Sequence, residues 1–195
     1  MKNNVRQVLG ISGGKDSAAL AIYLKHKYPK LDIEYYFCDT GKELDETYEL
    51  IKNLEVYFGK KIVRLEAVPN SHETPFDHFY KLFGGYLPSS SSRWCTRTLK
   101  LAPFEKWVGI TPVISYVGIR GDEDREGYIS KKTNIQSIFP FRKNIWSEDI
   151  ISIVLQNENI PNLSQLYEKY MGKAKLKRTL AIVNEPLSFK FSQLS

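Results

Sequence analysis

The residues whose chemical purpose is plainest are Ser12-Gly13-Gly14-Lys15-Asp16-Ser17. They stand where an apolar run, residues 5–12, gives way to apolar residues at 19, 20, 22 and 24, a helical spacing. Two glycines let a backbone approach a ligand closely, and a helix starting near Asp16 would turn its free N–H groups toward it; together these make an anion site. Lys15 and the loop amides would neutralise charge on a phosphate, and the hydroxyls of Ser12 and Ser17 can donate to its oxygens. Asp16 either assists Mg²⁺ or caps the helix. The spacing fits neither G-x-x-x-x-G-K-[ST] nor G-x-G-x-x-G, so the two commonest phosphate loops are excluded. The plain alternative is a glycine turn with a solvated lysine.

Three further segments carry reactive or charged groups. Cys38-Asp39-Thr40-Gly41 ends a second apolar run, 33–38, which puts Asp39 and Thr40 at the carboxyl end of a strand beside the first, where a nucleotide in a switch-point crevice would meet them. The competing reading is a turn that caps a helix beginning near Leu44, with Glu46 and Thr47 in it. Arg93, Arg97 and Lys100 lie beside the polar loop 88–92 and suit a phosphate or sulfate, arginine binding two oxygens at once. Between those arginines Cys95 could have a lowered pKa and act as a nucleophile or persulfide carrier, although a lone cysteine is more often inert. Cys38, at a strand end, reads as a small packed residue. Gly118-Ile-Arg120-Gly-Asp122-Glu-Asp124-Arg125 closes a third apolar run, 113–119. There Arg120 and Arg125 would bind an anion and Asp122 to Asp124 would hold Mg²⁺ or orient the arginines, unless the opposite charges simply satisfy one another. His26, His72 and His78 form no spaced ligand set, and Trp94, Trp107 and Trp146 read as core or stacking residues.

These groups need a scaffold, and the hydrophobic pattern supplies one. Strands are expected over 5–12, 33–38, 62–68 and 113–119. Helices are expected over 16–28, 44–58, 75–83, 98–108, 147–157 and from 162 or 163 to about 171. Alternation of this kind implies an α/β, Rossmann-like parallel sheet of about five strands with helices on both faces, right-handed crossovers and the first strand central. The long excursion 69–111 could then fold over the carboxyl edge and bring Arg93, Arg97, Lys100, Arg120 and Arg125 together above the glycine loop.

The chain has 195 residues, 42% of them apolar and 26% charged, which suits an ordinary globular domain. Residues 1–160 are read as one nucleotide-binding domain and 161–195 as a short helical extension. No apolar run approaches the roughly 18 residues of a membrane span, and the first residues lead straight into a strand, so the expected location is cytoplasmic with no membrane partner. A net charge of +6 suits polyanionic partners. Two cysteines are too few for a four-thiolate cluster built by this chain alone.

Ser12-Gly-Gly-Lys-Asp-Ser17 resembles the PP-loop of the ATP pyrophosphatase superfamily. Asp39-Thr-Gly with Glu46-Thr47, Arg93-Trp-Cys-Thr with Leu99-Lys100 and Pro103, and Gly118-x-Arg120 with Glu123 resemble segments of its PAPS reductase-like branch, which includes DNA-phosphorothioation sulfurtransferases. The resemblance implies an adenine nucleotide alpha hydrolase-like fold. It also implies cleavage of ATP between the α and β phosphates, with adenylation of an acceptor in sulfur transfer, on DNA or RNA or through a sulfur-donor protein. The implied nucleotide-binding residues are Ser12, Gly13, Gly14, Lys15, Asp16, Ser17, Asp39, Thr40, Gly118 and Arg120. Lys15, Ser17, Arg120 and Cys95 would be catalytic, Arg93, Arg97, Lys100 and Arg125 would hold the substrate anion, and Asp16 and Asp122 would hold Mg²⁺. Residues 163–195 contain no cysteine, which removes the tail thiol that PAPS reductases use and argues against an iron–sulfur cluster. An alternative is a module that binds ATP, AMP or PAPS as a sensor or subunit without turnover.

Overall fold

The computed structural model describes residues 5–124 and 126–143. The expected helices at 147–157 and 162–171, Trp146, Arg125 and the extension 161–195 lie outside the described residues. Five strands, β1 (Arg6–Gly10), β2 (Ile33–Cys38), β3 (Ile62–Leu65), β4 (Val113–Tyr116) and β5 (Ile135–Ile138), pair in the order β3-β2-β1-β4-β5, every pairing parallel. β1 is central, as the hydrophobic pattern requires. Its register sets Gly10 opposite Tyr36 on β2 and Leu9 opposite Tyr116 on β4. The order reverses between β1 and β4, and a parallel sheet of this topology binds ligands outside the carboxyl ends of its strands at that reversal.

Strand alternation decides which face each helix covers. Leu9 and Ile11 of the first strand segment, with Ile33, Tyr35 and Phe37 of β2, pack against α1 (Lys15–Lys27) and α2 (Asp45–Phe58). Val8 and Val113 face the opposite way, onto Phe104 and Val108 of α4 (Ala102–Val108) with Ile135 of β5. Each fully buried Leu or Ile in these layers contributes about 1.5–3 kcal/mol. α1 is buried on almost every side from Ser17 to Leu24, and its three alanines let neighbouring backbone come close.

β3 and β4 stop at Leu65 and Tyr116, three residues short of the expected ends, because beyond them the backbone turns to build loops. β5 was not anticipated by position. Its four residues follow the polar run 130–134 and are too short to show a period. Between β3 and β4 the excursion holds α3 (Pro75–Leu82), capped by Thr74, which accepts from the Asp77 amide. The Phe76 amide donates to the Thr40 carbonyl, tying α3 to the turn after β2. Phe76 and Phe83 stand 5.4 and 5.2 Å from the Trp94 ring, and the Trp94 indole N–H donates to the Tyr86 carbonyl. The helix that begins at Trp94 is π-wound over Thr96–Leu101 before it becomes α4, where a simple helix over 98–108 was expected. α5 (Pro140–Lys143) closes the described chain.

Candidate functional site

The turn after β1 is built by its own serines. The Ser12 amide donates to Ser17 Oγ at 3.1 Å, the Ser17 hydroxyl donates to the Gly14 carbonyl at 3.0 Å, and Ser12 Oγ lies 3.1 Å from Ser17 Oγ. Ser17 is buried and its single proton goes to Gly14, so its hydroxyl shapes the loop in this arrangement. Gly13 has φ +75°, and a Cβ there would stand 2.4 Å from the Thr47 methyl group. That contact brings Thr47, read from sequence as part of a turn capping the following helix or of a segment resembling the family's, against the loop 12–17. Gly14 is different. Its backbone is extended, and a Cβ would meet only Ser12 Oγ at 3.4 Å. No side chain caps α1, so the amides of its first turn remain available to an acceptor from outside.

The loop after β4 closes on the same helix. A Cβ at Gly118 would be 2.8 Å from the Asp16 carbonyl oxygen, so glycine lets this loop lie directly on the first turn of α1. Arg120 bridges the two segments: Nη1 lies 3.0 Å from Asp16 Oδ2 and 3.5 Å from Glu123, and Nε lies 2.9 Å from Asp122 Oδ1. The predicted anion-binding arginine is thus held by three carboxylates. Burial first, and then the charge of Glu123, pushes the Asp16 carboxyl above its usual range against the opposing pull of Arg120 and Lys15. Asp16 Oδ1 is buried without a hydrogen-bond partner. Asp16 and Asp122, each read as a Mg²⁺ ligand or as a structural carboxylate, both contact the Arg120 guanidinium, and Asp122 orients that arginine. Among the described residues no cluster of three or more His, Cys, Asp or Glu side chains could hold a metal.

Beside the serine loop, at the ends of β1 and β2, lies a cleft of about 170 Å³ lined by Gly10, Ser12, Tyr36, Cys38, Lys100 and Phe104. Tyr36 and Phe104 stack with centroids 4.9 Å apart and form its wall. Sequence reading missed both; the signal was the alternation in β2, which puts Tyr36 and Cys38 on the face opposite Tyr35 and Phe37. Asp39 and Thr40 are at the predicted edge but are buried and engaged in their own turn. Asp39 Oδ1 accepts from the Gly41 amide at 2.9 Å and the Tyr48 hydroxyl at 2.8 Å, and Thr40 Oγ1 donates to Glu43 at 2.8 Å. Their side chains hold the turn that carries α3. The Cys38 thiol donates to the Lys100 carbonyl, and burial pushes it up to about 11.

The excursion does fold over the carboxyl edge. Lys100 comes from the π-wound segment and reaches the cleft beside Ser12. Arg93 and Arg97 lie one turn apart, the Arg97 amide donating to the Arg93 carbonyl, and both are exposed. Cys95 is half-buried, its sulfur 4.0 Å from Thr96 Oγ1, and does not line the cleft. A larger hollow of about 730 Å³ lies between Tyr23–Leu31 and Tyr116, Ile138 and Pro140, its walls mostly apolar with Lys27 and Lys30 at them.

A profile of the phosphoadenosine phosphosulfate reductase domain matches residues 6–172. An uncharacterized protein of Methanocaldococcus jannaschii is 32% identical over 176 residues, covering 83% of this chain and 33% of the relative. An uncharacterized nin region protein of Escherichia phage lambda is 27% identical over 60% of this chain and 49% of its own length. The chain therefore spans a third to a half of the length of these curated relatives. Among solved structures, phosphoadenylyl-sulfate reductase from Candida auris, in a phosphate complex, superposes with a TM-score of 0.61 at 16% identity, covering 85% of this chain and 78% of the other. The U34-tRNA thiolase NcsA of Methanococcus maripaludis, with its [4Fe-4S] cluster, gives 0.55 at 14% identity, covering 95% and 74%. At these identities the two structures share the fold. The described residues of this chain carry two free cysteines, Cys38 and Cys95, both half-buried.

Proposed function

The chain belongs to the phosphoadenosine phosphosulfate reductase domain family, and from that premise we propose that it is a nucleotide-binding enzyme of sulfur chemistry that adenylates an acceptor with ATP. The observation that carries this reading is the loop 12–17, where a positive-φ glycine and the uncapped first turn of α1 meet at the carboxyl end of the central strand. The β and γ phosphates would take the loop amides and Lys15, and the nucleoside would extend toward the cleft beside Tyr36. A nucleophile on the acceptor attacks the α phosphorus, the bond between that phosphorus and the bridging oxygen to the β phosphate breaks, and pyrophosphate leaves with the electron pair. Lys15 and the amides stabilise the charge that grows on it.

Asp16 Oδ1, buried without a hydrogen-bond partner, would be the residue that holds a Mg²⁺ ion, which would supply further charge neutralisation on the leaving group. Lys100, Arg93 and Arg97 would receive the anionic end of the acceptor, which we take to be nucleic acid or a sulfur-donor protein in the cytoplasm. Calorimetry with ATP and Mg²⁺ tests the binding step: Lys15→Ala should weaken it at least tenfold. Chromatography of turnover products should give AMP and pyrophosphate, and ADP with phosphate would overturn the reading.

A second reading, a module that binds nucleotide without turnover, is favoured by the engagement of Arg120 with three carboxylates. Pyrophosphate release in the presence of acceptor separates the two.

A further inference from the structure

Several basic residues of the described chain pair with carboxylates: Arg6 with Glu34, Lys42 with Asp77, Lys60 with Asp32, Lys61 with Glu55, Arg64 with Asp39, Lys81 with Glu73, Arg120 with its three partners and Lys132 with Glu105. Arg93, Arg97 and Lys100 are exposed and form no ion pair among the described residues. Arg93 precedes the helix that begins at Trp94, and Arg97 and Lys100 lie in its π-wound part. Lys100 lines the cleft beside Ser12, and Arg97 and Arg93 precede it along the chain, the Arg97 amide donating to the Arg93 carbonyl. The Trp94 indole, donating to the Tyr86 carbonyl at 3.1 Å, pins the loop 84–92 beside Arg93. The residues this loop presents are Tyr86, 75% exposed, and Leu87, 68% exposed. The phosphates of one nucleotide in the serine loop would reach Lys100 and leave Arg93 and Tyr86 without a ligand. A solvent-facing phenol ring beside spaced cations has a use if the ligand is a polymer with unpaired bases, since bases stack on aromatic rings while cations follow the phosphates.

We propose that Tyr86, Leu87, Arg93, Arg97 and Lys100 form a track for an unpaired polynucleotide strand that leads to the cleft beside Ser12. The direction of the track rests on the reading of that cleft as the nucleotide site; the strand-binding surface itself does not. The strand's phosphates run along Arg93, Arg97 and Lys100, and one base stacks on Tyr86.

The test is fluorescence anisotropy of labelled oligouridylate and oligothymidylate with the full chain, across a salt series. Binding of either is expected, weakening as salt rises, and each of Arg93→Ala and Arg97→Ala should reduce the slope of log K against log salt by about 0.7. Tyr86→Ala should weaken binding roughly ten- to hundredfold with an unchanged slope, and Tyr86→Phe should restore it. Lys61→Ala, at an exposed pair on β3's approach, should change nothing. ATP titration of the same variants keeps the two readings apart: Arg93→Ala and Tyr86→Ala should bind ATP normally, while Lys15→Ala should lose ATP and keep the strand. Absence of strand binding at low salt, equal affinity for duplex, or indifference to Tyr86→Ala would each overturn the proposal. Binding of polyglutamate that depends on Arg93 and not on Tyr86 would overturn it too, in favour of an acidic protein.

Discussion

Arg120 Nη1 lies 3.0 Å from Asp16 Oδ2, joining the loop after β4 to the first turn of α1 across 104 residues of sequence. Removing the guanidinium takes away the cation that Asp16, Asp122 and Glu123 share. Arg120→Ala should therefore lower stability by about 2 kcal/mol at neutral pH, less than a fully buried pair because Asp122 is partly exposed. The sign of its pH dependence is fixed by the carboxylates. Their folded pKa values rise in the variant, so its deficit is complete above those values and shrinks as pH falls toward the ordinary carboxylate range. Denaturant melts of both proteins from pH 7 to pH 4 check this, and a deficit that stays constant would refute it.

The two loop glycines should not be equivalent. Gly13→Ala forces a side chain into positive φ and against the Thr47 methyl, so a loss of about 1–3 kcal/mol is expected, with weakened ATP binding. Gly14→Ala has room and an extended backbone and should lose little of either. Thr47→Ser, which deletes the clashing methyl, should recover part of the Gly13→Ala loss. Thermal melts and ATP titration of the single and double variants decide it.

At the other edge of β1, Arg6 donates twice to Glu34, at 2.8 and 2.9 Å, and this hydrogen bonding holds the Glu34 carboxyl below its ordinary value despite the opposing effect of burial. The stabilisation is present above the unfolded pKa and is lost as pH falls through the lowered folded one. Glu34→Gln should be less stable than the parent at pH 7 and converge on it in acid, as followed by urea midpoints.

With its pKa moved from 9.0 to about 11, the Cys38 thiol should react with iodoacetamide at pH 8 about a hundredfold more slowly than an ordinary thiol. Mass spectrometry of tryptic peptides reads this directly. Rapid labelling of Cys38 would mean that the Lys100 carbonyl does not hold it.

The parallel sheet and its central strand were legible because the apolar runs near residues 6, 33 and 113 are continuous and separated by periodic helices. β5 was not, since four residues carry no period. The serine loop was legible from its residue types. What those types could not convey is who partners whom. Asp39 looks like a ligand-facing carboxylate in sequence, yet Gly41 and Tyr48, two and nine residues on, take its oxygen. Arg120 likewise reads as an anion binder until Asp16, brought in by the β1–β4 pairing, is seen to hold it. The π-wound turn that delivers Lys100 has no compositional signature, because it differs from an α-helix only in which carbonyl each amide finds.

The β1–β4 pairing also sets an order of assembly. Gln7 pairs with Ile33, 26 residues away, and with Ile114, 107 residues away. Loop closure over the longer span costs about 1.2 kcal/mol more entropy, two doublings of length at about 0.6 each. β1, β2 and β3 should thus zip first, with β4 joining them late. Pulsed hydrogen exchange should show the Leu9 and Tyr35 amides, which face β2 and β3, protected before those of Ile114 and Ser115. On a ribosome the same asymmetry means that the nascent chain displays its serine loop well before β4 and Gly118 emerge, so the crevice at the β1–β4 reversal is complete only once β4 has emerged.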